Sequence, residues 1–419
     1  MSAAIIPEIP TISVLPFALL LLFIAAMPLA APSVWESNRN KALISGLVSL
    51  PIAIWLIRVA PAALEHSLLE YASFLCLLGS LFVVCGGIHV AGDLAASPRT
   101  NTCILALSGI LASLIGTTGA SMLLIRFLLR TNSERKNTAH IPFFFILLAA
   151  NCGGLLTPLG DPPLFLGYLR GVPFFWTLRL WPIWVSATVY LLGLFYWIDR
   201  RAYAAERTAD LARDLVAEQP VRIYGKRNLV LLAVIVGSVF LPSPVREISM
   251  VGAGLLSLVS GRSEARTKNE FSFGPIVEVA ILFLGIFITM VPALELLREH
   301  GKSLGLSEPW QFFLAAGGLS SVLDNAPTYL TFLSAAQGLS LTPDVVGVPT
   351  AHLIAISSGA VLMGANTYIG NGPNFMVKAI ADSAGYRTPS FFGYAARALA
   401  VLAPLYVAIV TYLAWLPSH

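Results

Sequence analysis

The sequence predicts an all-α polytopic membrane protein built from two inverted repeats, with about ten crossings, two re-entrant hairpins and two broken helices. Three observations predict it. Hydrophobic types make up 57% of the 419 residues and charged types only 11%, where a soluble chain is nearer a quarter charged. Apolar blocks recur along the whole length in a six-plus-six pattern around one polar stretch. Polar, helix-breaking motifs recur at the same places in both halves.

The blocks run at about 10–32, 41–58, 67–92, 103–130, 140–170 and 175–198, then 228–242, 246–260, 274–297, 309–338, 347–378 and 390–416. Residues 1–198 form the first repeat, 199–227 a cytoplasmic linker and 228–419 the second repeat. The linker stretch Arg200–Glu218 is Ala-rich with mixed charge and reads as a solvated surface helix. Residues 1–14 carry Glu8 and no Lys or Arg, unlike the basic start of a secretory signal, so the first block reads as a retained crossing.

Composition and spacing exclude other classes. Net charge is +4, too small to indicate a nucleic-acid partner. The four cysteines (76, 85, 103 and 152) lie in apolar segments with no C-x-x-C pair, and the six histidines are scattered without metal-ligand spacing. Gly301-Lys302-Ser303 resembles the end of a phosphate-binding loop, but Leu296 stands where its first glycine belongs. No cofactor is expected beyond Na⁺ or H⁺ as coupling ions, and no enzyme chemistry.

The fifth block contains Thr157-Pro-Leu-Gly160-Asp161-Pro-Pro163-Leu-Phe165, and the eleventh contains Thr367-Tyr-Ile-Gly370-Asn371-Gly-Pro373-Asn374-Phe375, 210 residues later. The fourth carries Ser113-Leu-Ile-Gly-Thr117-Thr118-Gly-Ala-Ser121, which aligns with Ser320-Ser-Val-Leu-Asp324-Asn325-Ala-Pro-Thr328 at an offset of 207. Glu70-Tyr-Ala and Glu278-Val-Ala match at 208. If blocks 103–130 and 309–338 are hairpins, 24 of the Lys and Arg residues, all but Arg126 and Arg397, divide 18 to 6 between the two sides. If both blocks cross, the division is 14 to 10. The positive-inside rule therefore favours hairpins, with both termini outside.

Inverted repeats with paired broken segments point to a secondary transporter with its site at the midplane. Each break exposes carbonyls that suit a cation and N–H groups that suit an anion. Asp161 and Asp324 are the two mid-membrane acids, each costing about 2.5–3.5 kcal/mol on insertion scales. Either is also a good N-cap, as is Asn371. Pairing each hairpin with the broken helix of its own half predicts two sites. One joins Thr117, Thr118 and Ser121 to Thr157, Gly160 and Asp161; the other joins Asp324, Asn325 and Thr328 to Thr367, Gly370, Asn371 and Asn374. One carboxylate with hydroxyl, amide and carbonyl oxygens suits a hard monovalent cation, so Na⁺ is expected at Asp161 and Asp324. Glu70 and Glu278 read as interfacial acids, Arg170 and Lys378 as snorkelling cations, and Arg126 as snorkelling or paired. His352 reads as a packed histidine.

At these motifs the chain resembles the ion transporter superfamily. That group holds NhaD-type sodium/proton antiporters, arsenite permeases, the mammalian P protein and citrate or dicarboxylate carriers. The NhaD-like and arsenite-permease-like branch is the most similar. The resemblance implies a scaffold domain forming a homodimer and a transport domain that moves like an elevator in the bacterial inner membrane. It also implies ion-binding roles for Gly160-Asp161 and Asp324-Asn325. The sequence departs from NhaD-like relatives at Thr117-Thr118, where they often have Asp-Asn, and it lacks the Ser-Asn-Thr signatures of dicarboxylate carriers. A Na⁺/H⁺ antiporter is the first expectation. A Na⁺- or H⁺-coupled carrier of citrate, a dicarboxylate or an arsenite-like anion is the alternative.

Overall fold

The computed structural model describes residues 9–260, 264–339, 341–342 and 344–416, without the side chains of Leu215 and Ala217. Glu8, which bears on the expected retained first crossing, and His419 lie outside the described residues, as does Arg262, one of the residues in the charge count.

The first half contains α1 (Leu15–Ala30), α2 (Asn38–Val59), α3 (Pro61–Gly86), β1 (His89–Asp93), α4 (Pro98–Thr131), α5 (His140–Leu148), α6 (Pro162–Leu169) and α7 (Trp181–Ala204). The linker supplies α8 (Thr208–Ala217) and β2 (Gln219–Tyr224). The second half contains α9 (Arg227–Ser238), α10 (Val245–Ser260), α11 (Gly274–His300), α12 (Pro309–Ser320), α13 (Asn325–Gln337), α14 (Thr350–Met363), α15 (Gly372–Ser383) and α16 (Phe391–Trp415). Seven of the described helical segments are long and apolar enough to cross a membrane, and the chain is an all-α polytopic membrane protein.

Length alone misleads at α4. Its 34 residues are helical except at Gly116, where φ is 81° and ψ 152°. Asn101 near its start donates to Asn132 just beyond its end at 2.9 Å, and Asn132 returns a bond at 2.8 Å. A straight helix would hold these residues about 46 Å apart, so the segment folds back on itself with its tip at Gly116. The base of this hairpin is clamped by Asp199, which accepts from Asn101 at 2.9 Å and from Arg135 at 2.7 Å. In the second half, α12 and α13 fold back around residues 321–324, with the Phe312 and Phe332 rings edge-on at 6.3 Å.

Both helical blocks with Gly-Asx-Pro motifs are broken. A 3-10 turn (Cys152–Leu156) and an extended stretch separate α5 from α6, and Gly364–Asn366 does the same between α14 and α15. Proline at the first turn suits each restart, because its missing N–H has no intrahelical acceptor there.

The linker differs from expectation. It is not one helix over Arg200–Glu218, since α7 continues to Ala204 and β2 follows α8. β2 pairs antiparallel with β1, His89 opposite Tyr224, so the all-α architecture carries one small ribbon. Nor is the linker a plain solvated connector. Asp214 of α8 is buried and accepts from the Ala96 backbone at 2.8 Å. A buried acid requires such partners, and they dock the linker onto the first hairpin's base.

Candidate functional site

The breaks and hairpin tips are joined by one set of bonds that occurs twice. In the first half Ser113 Oγ donates to Gly153 O, and Thr157 Oγ1 donates to Ser113 O. In the second, Ser321 Oγ donates to Met363 O at 3.1 Å, and Thr367 Oγ1 donates to Ser321 O at 2.6 Å. Each threonine also accepts from the backbone two residues on, Leu159 N at 3.2 Å and Ile369 N at 3.3 Å. The geometry pairs Ser113 with Ser321, an offset of 208 rather than the expected 207. Thr117 therefore corresponds to Asn325, and Asp324 corresponds to Gly116.

That one-residue correction explains the centre of the molecule. Asp161 is 1% exposed. Its Oδ1 accepts from Thr117 Oγ1 at 2.9 Å and from Asn371 Nδ2 at 3.1 Å, and its Oδ2 accepts from Asn325 Nδ2. Thr117 and Asn325 occupy matching hairpin-tip positions, and Asp161 and Asn371 matching break positions. Both halves therefore meet on one carboxylate. The expected pairing of each hairpin with its own break describes the backbone clamps, but the polar side chains close across the halves. The two separate side-chain sets are replaced by one cluster.

Four helix starts converge there: the second half of α4 beginning at Thr117, then α6, α13 and α15. Helix N-termini carry partial positive charge. Asp161 and Asn371 stand at N-cap positions, yet neither side chain caps its own helix. Both turn inward. Asp324 does cap, accepting from Ala326 N at 3.0 Å, and it is partly exposed.

The remaining predicted residues divide. Asn374 belongs to an extension of the cluster. Asn371 Nδ2 approaches Asn151 Oδ1 at 3.3 Å, Asn151 Nδ2 donates to Asn374 Oδ1 at 2.7 Å, and Asn374 Nδ2 donates to Gly364 O and Thr367 O at 2.9 and 2.8 Å. Gly160 accepts from Thr117 N at 2.8 Å, pinning the tip to the break. Gly160 and Gly370 lie so close to the Gly154 and Gly364 backbones that a Cβ would collide. Thr118 lines a cavity of about 30 Å³ beside Asp161, bounded by Phe74, Leu77 and Leu81 of α3. Ser121 is buried, and its Oγ has no hydrogen-bond partner among the described residues. Thr328 Oγ1 bonds within its own helix, to Asp324 O at 2.9 Å.

Asn151 was absent from the predicted set. Its signal was present as a lone buried amide in an apolar stretch before the break. Arg170 pairs at 2.9 Å with Glu70, which is 5% exposed and lies nine residues past the start of α3. Lys378 pairs with Asp382 at 2.6 Å, Arg126 with Glu270 at 3.0 Å and Glu278 with Lys41 at 2.7 Å. His352 is buried, with Nε2 2.8 Å from Ser307 O.

Residues 6–415 match the CitMHS_2 family profile, described as "Putative citrate transport". The chain belongs to the CitMHS_2 family. Citrate carriers are one of the groups that the motifs resemble. The chain is 29% identical over 330 residues to a "46 kDa membrane protein" of Mycobacterium leprae, covering 73% of this chain and 74% of that protein. It is 27% identical over 353 residues to an uncharacterized transporter of Mycobacterium tuberculosis, covering 78% and 80%. An uncharacterized transporter of Synechocystis is 25% identical over 315 residues, covering 66% and 68%. This CitMHS_2 chain is thus a multi-pass membrane protein by fold and a member of a transporter family.

Proposed function

We propose that the protein is a cation-coupled secondary carrier of a small carboxylate anion, with Asp161 as its coupling group. The observation that carries this reading is the ring of three donors from both halves on one buried carboxylate. When Na⁺ or a proton neutralises Asp161, Thr117, Asn325 and Asn371 lose their anionic partner. A carboxylate of the cargo then takes the vacated donors at the positive ends of α6, α13 and α15. The family description favours a citrate-like cargo. Alternating access by an elevator-type movement, a homodimer, a bacterial plasma membrane and termini outside complete the reading, the last supported by the 18-to-6 charge division.

One observation favours a second reading, Na⁺/H⁺ antiport without an anion. The cavity beside Asp161 is about 30 Å³, room for an ion or a water but not for citrate. Proteoliposomes separate the two. Labelled citrate uptake that requires Na⁺ or a pH gradient and is lost in Asp161→Asn supports the carrier. Na⁺-driven proton movement with no anion present supports the antiporter. If neither occurs in the wild-type protein, both readings fail.

A further inference from the structure

Away from Asp161, the linker-side face holds a second cavity of about 550 Å³, within the usual range for small-molecule sites. Six basic side chains line it, Arg126, Arg130, Arg135, Lys136, Lys268 and Arg387, against one acid, Glu270. Its walls are tied together. Tyr386 Oη donates to Leu129 O at 2.6 Å, holding the 383–387 loop beside the end of α4. The Arg126–Glu270 pair at 3.0 Å holds the third wall.

Several cations are partly satisfied from behind. Asp199 and Glu206 face Arg135, Asp210 faces Lys136 at 3.8 Å, and Glu264 faces Lys268 at 3.1 Å. Arg130 gives Nε and Nη2 to the Gly92 and Val90 carbonyls and has the Asp93 carboxyl near it, leaving Nη1. Arg387 is exposed and forms no ion pair among the described residues. Glu270 projects into solvent, 73% exposed. Guanidinium groups on facing walls recognise planar oxyanions with paired hydrogen bonds.

We propose that this cavity binds a multivalent oxyanion, a soluble tricarboxylate or polyphosphate or the headgroup of an anionic lipid. It goes beyond the carrier reading, since no lining residue belongs to the Asp161 cluster. The test uses the full-length protein in phosphatidylcholine nanodiscs at constant ionic strength. Inorganic pyrophosphate and citrate are titrated calorimetrically in one arm. In the other, the melting temperature is compared with and without cardiolipin in the disc. Saturable binding of a soluble probe, or stabilisation by cardiolipin, supports the site and tells which source fills it. Arg126→Gln with Arg387→Gln should weaken the response about tenfold. Glu270→Gln, which removes the one lining acid, should strengthen it. No response in either arm, or a response that neither the arginine pair nor Glu270→Gln alters, overturns the proposal.

Discussion

Asn325, at the tip of the second hairpin, donates its amide to Asp161 in the break of the first half, 164 residues away in sequence. The bond joins the two repeats at their centre, and Asn325 Oδ1 is buried without a hydrogen-bond partner among the described residues. Replacing Asn325 with alanine leaves Asp161 short of one donor. The expected cost is ~1–3 kcal/mol, the range for leaving a buried polar group short of a partner. Thr117→Val should cost less, because valine keeps the shape of threonine and loses only the hydroxyl, whereas alanine at Asn325 also leaves a cavity. Melting curves of the two variants in nanodiscs test the order; equal, negligible shifts would remove the cluster from any structural role.

Gly160 and Gly372 are both glycines of the break motifs but differ in their surroundings. A Cβ at Gly160 meets the Gly154 carbonyl, whereas one at Gly372 meets nothing within 4 Å. Gly160→Ala should therefore destabilise by ~1–3 kcal/mol through overpacking against backbone that cannot rotate away. Gly372→Ala should be close to neutral. Thermal unfolding checks both, and a neutral Gly160→Ala would mean that the break is looser than this packing.

Arg170 at the end of α6 and Glu70 on α3 tie the first broken helix to its neighbour. Glu70 is buried and Arg170 a quarter exposed, so removing either partner strands charge in a poorly solvated place. Arg170→Gln and Glu70→Gln should each destabilise. The double variant should lose less than the sum, with a coupling of ~1–3 kcal/mol. Additive losses in the cycle would show that the pair contributes no net interaction.

Asp93, in β1, gives a pH dependence. Burial pushes its carboxyl up to about 6, helped by Glu134 and Asp214 and opposed by Arg130. The unfolded chain releases this proton near pH 3.9, at about the ordinary Asp value. Between those values the folded protein binds more protons than the unfolded chain, so stability falls as pH rises from about 4 to about 6. Asp93→Asn removes that loss. Its unfolding free energy should exceed wild type above pH ~7 by an amount on the order of 1 kcal/mol, with a higher melting temperature, and match it near pH 4. A difference that is the same at both pH values would rule out titration of Asp93 as the cause.

Much of the architecture was readable locally. Gly116 and the polar tips mark hairpins because a helix cannot keep its backbone bonds there. The runs Gly160-Asp161-Pro162-Pro163 and Gly370-Asn371-Gly372-Pro373 mark restarts for the same reason. The β1–β2 ribbon was not readable. Its strands are five and six residues long, lie more than a hundred residues apart and show no clean alternation of burial. The pairing of Arg170 was missed because helical spacing gives a cation's depth but not which acid a neighbouring helix presents, whereas Lys378 pairs with Asp382 one turn on in its own helix, a spacing the sequence does show.

The sequence by itself determined the solvent, the twofold repetition, the two breaks and the short list of polar residues at them. Each follows from hydropathy or from backbone chemistry within a few residues. Only the tertiary structure decided the offset of 208 for the hairpins, and with it the choice of Asn325 rather than Asp324 as the partner of Asp161. A one-residue shift turns a helical side chain by about 100°, so one neighbour faces the centre and the other caps its own helix. That direction is set by the packing of two hairpins and two breaks around one point, and no spacing along the chain records it.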